Sequence, residues 1–530
     1  MESHELSDSS SSPLLVSPSS TAEISLIPAR FRIYWLAIVL CCGAFLFGYD
    51  TGIIGWSISV KSNIICIADC SVGGVLTFES FHDDFRYEMA AETGVSSMSV
   101  GIQQAAAFVG CFAVWPVNNR YGRRLTIMLC SLIFCAGVVL EVVNLHSLPV
   151  FYAGRIICGL GVGGSSSVIP IFLSEMSPKE IRGRLGSYYQ LMFTFGILIS
   201  YWVDYGVKFM PPTSLQWQIP LGLQLIPGGV MGFGMLTTEE SARWLVSKGY
   251  SEKARLSLAW VRASDVEDVE DEFSSIQQGI KDEKHAVAGF TLWELLEWPN
   301  AHRILLAVGM FLAQQSTGAT ALAYFGPRFF SLLVGPGTID LLLTGIFGLV
   351  KVASCGFFIL FISDRFGRKP LLLSGAAFMS ICMILTSFLV RIHDPGRDSS
   401  NVVPAATVAL IYLSIIAFNL SWGPLPWPYA SEIFPARIRE PGVACGVGSH
   451  WLFNFFWSSI TPYIITSMGW ATFLLFGILD MIILAFVHFC LKETARKSLE
   501  EINAMFDWGE RRYHSAPTND ISENDEYNSE

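Results

Sequence analysis

The stretch Ser174-Glu175-Met176-Ser177-Pro178-Lys179-Glu180-Ile181-Arg182 returns later as Ser431-Glu432-Ile433-Phe434-Pro435-Ala436-Arg437-Ile438-Arg439. Both copies read S-E-x-x-P-x-x-I-R. A second related pair, Arg120-Tyr121-Gly122-Arg123-Arg124 and Arg365-Phe366-Gly367-Arg368-Lys369, precedes them in the same order. Two motifs that repeat in the same order predict a parallel tandem duplication of the chain.

The composition predicts a membrane protein. Of the 530 residues, 52% are hydrophobic and 15% are charged, against roughly 25% charged in ordinary globular proteins. A helix that crosses a bilayer needs about 20 apolar residues. Twelve stretches meet this need: 33–56, 96–116, 124–143, 149–173, 186–206, 217–236, 305–331, 339–363, 371–390, 404–430, 443–467 and 470–491. Parallel repeats of this kind are typical of transporters with a substrate site between the two halves.

Basic residues in the short loops predict the orientation. An even number of spans places both termini on one side, and the loops of that side carry sixteen Lys and Arg residues against six on the other. The side richer in basic residues is the cytoplasmic one. Both termini and both repeated motifs are therefore expected in the cytoplasm.

The domain boundaries follow from the spans. We predict a disordered, serine-rich tail over 1–30, a six-helix bundle over 31–236, a linker over 237–304, a second bundle over 305–491 and an acidic tail over 492–530. In the linker we expect one helix, Glu252 to Arg262, an acidic run from Asp265 to Glu272, and an amphipathic turn at Trp293-Glu294-Leu295-Leu296. We expect no enzyme fold there, and the acidic tail is too short for a signalling domain.

Cysteine usage indicates neither a metal nor a cofactor. Ten of the twelve cysteines lie in apolar stretches, where a small soft side chain is ordinary packing material. Cys66 and Cys70 lie in a hydrophilic loop and could be bonded or free. No C-x-x-C pair or histidine cluster indicates a metal site.

Arg155 and Lys351 are the two basic residues that lie away from the ends of the predicted spans. Such a residue at the centre of a span costs about 2.5 to 3.5 kcal/mol and usually faces a cavity or a partner. Arg155 and Asp50 are expected at the same depth, so they can meet if spans one and four are neighbours. We interpret Asp50 as the proton acceptor and Arg155 as the group that controls its protonation. The alternative is a permanent structural ion pair.

Lys351 has no acid nearby in sequence. An unpaired ammonium at the membrane midplane suits an anionic group of a substrate. The alternative is an ion pair with Asp480 in the twelfth span.

Charged residues at the cytoplasmic ends of the spans recur in both halves. We predict ion pairs that hold the inner gate closed and break when it opens, because exposed pairs are each worth only about 0 to 1 kcal/mol. The predicted gate residues are Arg123, Arg124, Glu175, Arg182, Glu240, Arg243, Arg365, Arg368, Glu432, Arg439 and Glu493.

Two short patterns are misleading. Gly159-Leu160-Gly161-Val162-Gly163-Gly164 has glycines spaced like a dinucleotide loop, but it lies in an apolar span, where small residues allow close helix packing. Asn419-Leu420-Ser421 matches a glycosylation sequon but lies within the tenth span, so no glycan is expected there.

Several further stretches resemble the sugar porter family of the major facilitator superfamily over nearly all of residues 31 to 500. They are Gly48-Tyr49-Asp50-Thr51-Gly52, Gly154-Arg155, Asp364 to Lys369, Gln314-Gln315 with Gly318 and Tyr324, Gly423-Pro424-Leu425-Pro426-Trp427, and Glu493-Thr494 followed by Leu499-Glu500-Glu501. The resemblance implies an all-α membrane protein of twelve helices in two six-helix bundles that rock around a central site. Proton-coupled members of this family are similar in carrying an acid at the position of Asp50.

The resemblance implies sugar-contacting side chains at Gln190, Gln314, Gln315, Trp427 and Asn454. Amides suit this work because each offers donors and acceptors to a pair of hydroxyls. Three positions differ from hexose carriers and are added to the candidate site: Thr320, Lys351 and His450. Near the gate, Asn119 replaces an acid and Ala242 replaces a proline.

The stretches Gln314 to Phe330 and Phe347 to Val352 look most similar to fungal quinate permeases and galacturonate carriers. We therefore expect a proton-coupled symporter of a monosaccharide or sugar-acid-like carboxylate, which functions as a monomer in the plasma membrane and binds no nucleic acid. A neutral hexose or pentose symporter or facilitator is the alternative. A non-transporting sugar sensor fits less well because the tail is short.

Overall fold

The computed structural model describes residues 31–53, 76, 78–86, 92–143, 145–177, 182–262, 269–287, 289, 291–334, 339–363, 365–392, 402–495, 497 and 499–506. The predicted tail 1–30, the cysteines Cys66 and Cys70, and residues 507–530 lie outside this part of the chain. So does the side chain of the predicted gate residue Arg182.

A helix lies over each of the twelve predicted spans, which confirms the predicted fold class. The first six spans are Arg32–Ile53, Glu92–Tyr121, Arg123–Val142, Leu148–Met176, Arg182–Val207, and Leu215–Leu223 continued by Leu225–Gly234. The last six are Trp298–Ser316 continued by Ala319–Val334, Ile339–Phe357, Arg368–Ile392, Val402–Asn419, Arg439–Met468 and Ala471–Cys490.

Among the described residues, nine helices are long and apolar enough to cross a membrane, and the broken seventh span makes ten. The fifth and eleventh spans are the less apolar ones. Both carry polar side chains such as Gln190, Thr194, His450 and Asn454. Three of these, Gln190, His450 and Asn454, line a central cavity, so their cost to membrane insertion is offset by a polar environment.

The duplication seen in the sequence recurs in the packing. In the first half, span one packs against span five, and span three against spans four and six; in the second half, span seven packs against span eleven, and span nine against spans ten and twelve. The halves meet through spans two and eleven and through spans five and eight. These two contacts are related by the same shift of six spans, so the cavity lies on the internal symmetry axis.

The seventh and tenth spans are broken. Helix Trp298–Ser316 gives way to Ala319–Val334 across Thr317 and Gly318, with a bend of 42°. Gly318 has φ +81°, a conformation that a residue with a Cβ adopts only with strain. The tenth span leaves its helix after Asn419 and resumes as the short helix Pro426–Glu432.

The linker contains more helix than the sequence analysis predicted. The predicted helix is present as Ser251–Arg262 and the predicted turn as the 3₁₀ helix Leu292–Leu296, but helices Ala242–Ser247 and Glu270–Val287 are additional. The last of these begins in the acidic run, because acids in the first turn favour a helix start. Its apolar residues Phe273, Ile276 and Ile280 pack against the core of the first half.

The linker is fastened to both halves. Arg262 donates to the backbone carbonyl of Met176 at 2.9 Å, at the end of the fourth span that adjoins the linker. Arg437, which precedes the eleventh span, donates two hydrogen bonds to the Glu294 carboxylate at 2.7 and 2.9 Å. These hydrogen bonds lower the pKa of Glu294. The pair therefore remains ionised at neutral pH.

The glycine-rich stretch of the fourth span has the predicted packing role. It lies inside helix Leu148–Met176. A Cβ placed on Gly163 would lie 2.1 Å from the carbonyl oxygen of Ala107, and one on Gly159 would lie 2.3 Å from that of Gln103. The glycines therefore let the second and fourth spans approach each other closely.

Candidate functional site

A cavity lies between the two halves, and all eight predicted substrate residues line it: Gln190, Gln314, Gln315, Thr320, Lys351, Trp427, His450 and Asn454. The sequence reasoning did not select several other lining side chains. They are Phe47, Thr51, Tyr189, Phe193, Phe418 and Tyr324. The walls thus combine amides, the hydroxyls of two threonines and two tyrosines, one histidine, one lysine and a set of aromatic rings.

The break in the seventh span positions three of the polar residues. Gln314 and Gln315 lie in the last turn before the break and Thr320 lies just after it. The amide nitrogen of Gln314 donates to the carbonyl oxygens of Trp422 and Gly423 at 2.9 and 3.2 Å. Those carbonyls are free of helix partners because the tenth span is also broken there. The break in the seventh span and the break in the tenth are therefore joined by these hydrogen bonds.

His450 joins the two glutamines into one polar cluster. Its Nδ1 lies 2.9 Å from the amide nitrogen of Gln315 and 3.2 Å from the amide oxygen of Gln314. The hydroxyl of Thr320 donates to the amide oxygen of Gln315. The imidazole is enclosed by aromatic rings, with Trp427 at 5.0 Å and Phe311 at 5.6 Å between ring centroids. The cluster is a rigid set of donors and acceptors of the kind that binds a diol.

Lys351 is the one basic residue among those that line the cavity. It is only 3% exposed, and its ammonium group lies over the rings of Phe193 and Phe347 at 5.8 and 5.7 Å. Within the described part of the chain, no carboxylate forms an ion pair with it. Aromatic faces attract a cation but do not neutralise it.

The alternative ion pair of Lys351 with Asp480 is wrong for this structure. Asp480 is fully buried in the twelfth span, and neither of its carboxylate oxygens has a hydrogen-bond partner among the described residues. The twelfth span packs mainly against the ninth, away from the axis of the molecule. Sequence alone could not decide this pairing because it depends on how the helices are arranged.

Two further polar groups of the cavity are available to a ligand. The amide oxygen of Asn454 is buried and has no hydrogen-bond partner within the described residues. The Tyr324 hydroxyl accepts a hydrogen bond from Gln104 at 2.9 Å, which ties the seventh span to the second. A buried polar atom without a partner is costly, so the Asn454 oxygen is suited to a hydroxyl of a bound molecule.

Asp50 and Arg155 meet beside the cavity. Arg155 donates from Nη1 to an Asp50 oxygen at 2.8 Å, and from Nε to the backbone carbonyl of Ser99 at 3.1 Å. Thr51, the next residue after Asp50, lines the cavity. Spans one and four are therefore neighbours, as the predicted pair requires.

A second carboxylate, which sequence reasoning missed, lies at the same arginine. Glu141 in the third span has an oxygen 3.5 Å from Arg155 Nη1. The signal that would have found it is an acid one residue before the end of an otherwise apolar helix, Arg123–Val142. Counting acids as well as bases inside the spans would have singled it out.

The charged residues at the span ends that carry the repeated motifs form two matching networks, one in each half. In the first half, Arg123 donates to both oxygens of Glu175 at 2.9 and 3.1 Å, and Glu240 accepts from the backbone N–H groups of Arg123 and Arg124 at 2.9 and 3.1 Å. Burial raises the pKa of Glu240, while hydrogen bonds from three backbone N–H groups, including that of Ser241, oppose the rise.

In the second half, Arg368 pairs with Glu432 at 3.3 Å. Glu493 accepts from the backbone N–H groups of Arg368 and Lys369, each at 3.0 Å. The network therefore repeats that of the first half, group for group. All of these contacts join helix ends within one half, so each network fastens three spans of its own bundle together.

The remaining predicted gate residues lie near these networks. Arg124 donates to the carbonyls of Met235 and Leu236, each at 2.8 Å. Arg439 donates to the carbonyl of Phe434 at 3.4 Å, and the side chains of Arg243 and Arg365 are exposed.

Comparison with solved structures shows the fold. The proton:xylose symporter XylE bound to 6-bromo-6-deoxy-D-glucose superposes with a TM-score of 0.72 at 24% identity, over 91% of this chain and all of that one. The inward open conformation of the xylose transporter XylE from E. coli gives a TM-score of 0.69 at 24% identity, over 90% of this chain and all of that one.

Comparison with characterised proteins shows the family. The quinate permease of Emericella nidulans is 33% identical over 94% of this chain and 93% of its own length. A probable quinate permease of Aspergillus flavus is 34% identical over 90% of this chain and 89% of its own. The family model described as "Sugar (and other) transporter" matches residues 36–506. The chain therefore belongs to the sugar transporter family, as its repeated motifs and paired bundles indicate.

Proposed function

We propose that this transporter is a proton-coupled symporter of a polyhydroxylated carboxylate, of which quinate and galacturonate are the test cases. The observation that supports the proposal most strongly is the position of Lys351. It places one cation in a cavity whose other polar groups are amides, hydroxyls and an imidazole.

The charge argument favours an anionic substrate. A buried ammonium without a partner is expensive, and a substrate carboxylate would neutralise it at the moment of binding. A neutral sugar would leave the same charge uncompensated next to its hydroxyls. The similarity to proteins named quinate permeases supports this choice of substrate class.

The rest of the cavity suits the hydroxyls and the ring of such a substrate. Gln190, Gln314, Gln315 and Asn454 supply amides, and His450 supplies an imidazole. Trp427 supplies a flat apolar wall, as expected of a site that binds the face of a carbon ring. We propose that Thr320 acts indirectly by fixing the orientation of the Gln315 amide.

Proton coupling is proposed from the ion pair beside the cavity. The Asp50 carboxylate accepts a hydrogen bond from Arg155 and loses this charged partner if the arginine moves away. Because Thr51 joins Asp50 directly to the cavity wall, binding of substrate can change this contact. Protonation of Asp50 then accompanies the change between outward-facing and inward-facing forms.

We propose that the inner gate closes by the rocking of two stiff bundles, and that the ion pairs predicted to break on opening hold each bundle together instead. Each cytoplasmic network fastens the ends of three spans in its own half, so the halves move as units against each other. We also propose that the protein lies in the plasma membrane with both termini in the cytoplasm, and that one chain is sufficient for transport.

The substrate class is tested by uptake in a yeast without its own hexose carriers. Quinate, galacturonate and glucose would be supplied at pH 5 and pH 7.5, with and without a protonophore, to cells that express wild type or Lys351→Met. We expect acid uptake that is faster at pH 5, abolished by the protonophore, and lost in the variant.

The matched control is Lys253→Met, which removes an exposed lysine of linker helix Ser251–Arg262, far from the cavity. It is expected to behave as wild type. Glucose uptake that survives Lys351→Met would contradict the carboxylate site and support a neutral sugar symporter, in which this lysine is structural.

A further inference from the structure

Two carboxylates share one guanidinium at the outer end of the first bundle. Arg155 Nη1 lies 2.8 Å from an oxygen of Asp50 and 3.5 Å from an oxygen of Glu141. Asp50 holds the hydrogen bond, whereas neither oxygen of Glu141 has a hydrogen-bond partner among the described residues. Glu141 therefore forms a longer ion pair with the arginine, whereas Asp50 holds the close hydrogen bond.

The three groups are sealed from water. The side chain of Glu141 is fully buried, that of Arg155 is 1% exposed and that of Asp50 is 4% exposed. With both acids ionised, the cluster would carry a net negative charge, which an apolar interior disfavours strongly. Since arginine stays protonated in proteins, the neutral cluster holds one proton on one of the two acids.

Among the described residues, no further charged side chain forms an ion pair with these three groups. The fourth span presents Arg155 and the thiol of Cys158 to Glu141, and the first span presents Asp50. The two helices of the sixth span, Leu215–Leu223 and Leu225–Gly234, contain no Asp, Glu, Lys or Arg. The second span contributes the backbone carbonyl of Ser99, which accepts from the same guanidinium.

Two glycines let the third and fourth spans approach each other closely beside Glu141. A Cβ on Gly154 would lie 2.7 Å from Cγ of Glu141, and one on Gly137 would lie 2.6 Å from the backbone nitrogen of Cys158. The third and fourth spans are therefore in close contact beside Glu141, whose side chain is fully buried there.

We propose that Glu141 is a second proton-carrying group of the transport cycle, an inference that rests on the proton coupling proposed above. While Asp50 is paired with Arg155, Glu141 holds the proton. When Asp50 leaves the arginine, the O–H bond of Glu141 breaks and an O–H bond forms on Asp50. The Glu141 carboxylate then accepts the guanidinium, and the net charge of the cluster stays at zero.

This exchange gives the proton a direction. Glu141 lies at the end of its span opposite to Arg123, which is the predicted outer side, and it is refilled from there. Asp50 adjoins Thr51 in the cavity wall and releases the proton into the cavity when that cavity faces the cytoplasm. Asp50 alone would leave Arg155 as an uncompensated buried cation each time it was protonated.

The test uses purified full-length protein in liposomes with radiolabelled quinate. One assay measures accumulation under an imposed inward proton gradient, and the other measures counterflow exchange without a gradient. Glu141→Gln mimics the protonated acid and cannot release a proton. We expect this variant to retain exchange and to lose accumulation above the external concentration. A merely structural role would reduce both together.

Glu141→Asp is the second variant in the same two assays. It keeps an acid but draws the carboxyl one methylene away from Arg155, so accumulation should persist with a shifted pH profile. An unchanged pH profile, or accumulation by Glu141→Gln equal to that of wild type, would overturn the role of Glu141 alone. Wild type that only equilibrates quinate would overturn the proton-coupled function and the role of Glu141 with it.

Discussion

The chemistry of this transporter depends on a few charged side chains held in an apolar interior. A count of basic residues inside the spans is enough to find Arg155 and Lys351, and equal depth in the membrane is enough to pair Arg155 with Asp50. Glu141 needed the arrangement of three helices before its role could be seen. The buried charged residues that matter can be predicted from sequence because burying a charge is costly. Their ion-pair partners cannot, because the choice of partner depends on how the helices pack.

Asp50→Asn tests the proton acceptor. Asparagine keeps the size and one hydrogen-bond acceptor for Arg155 but cannot bind or release a proton. We expect quinate to equilibrate across the membrane without accumulation, with uptake independent of pH between 5 and 7.5. Asp480→Asn is the matched control, since that buried acid lies in the other half and its carboxylate oxygens have no hydrogen-bond partner within the described residues. Accumulation that survives Asp50→Asn would show that another residue accepts the proton.

At the scale of helices, the breaks in the spans position the site. The motif Gln314-Gln315 followed by Gly318 carries the resemblance to the family, but apolar length alone predicts one continuous span over 305–331. The structure shows a bend of 42° there, which directs the glutamines and Thr320 into one cavity. The helix Glu270–Val287 was also missed, because its acidic start indicates a solvated run when neighbouring helices are unknown.

Gly318→Ala tests the break in the seventh span. The positive φ is strained for alanine, and the new Cβ would lie 2.8 Å from the ring of Phe476. We expect a loss of about 1 kcal/mol or more in stability, seen as a lower Tm, together with a higher KM for uptake as the glutamines shift. Gly326→Ala in the same span is the control, because its Cβ would lie 3.4 Å from the nearest side-chain atom, in Thr344. Equal Tm and KM values for the two variants would contradict the positioning role of the break.

At the scale of the whole molecule, the repeated motifs predict the architecture because each motif serves its own bundle. The glutamates of S-E-x-x-P-x-x-I-R, Glu175 and Glu432, pair with arginines of the second motif, Arg123 and Arg368. The halves touch each other through other contacts, such as the hydroxyl of Ser97 donating to the carbonyl of Ser459 at 2.8 Å. Bundles that are each fastened at their own helix ends are what rocking around a central site requires.

The central claim is that the proton gradient drives a carboxylate into the cell. Its most direct measurement is the ratio of internal to external quinate in wild-type liposomes under an imposed inward proton gradient, with a protonophore added at the plateau. We predict accumulation above the external concentration and collapse of the ratio when the protonophore is added. A ratio that never exceeds equilibrium, or glucose accumulated in place of quinate, would contradict the account.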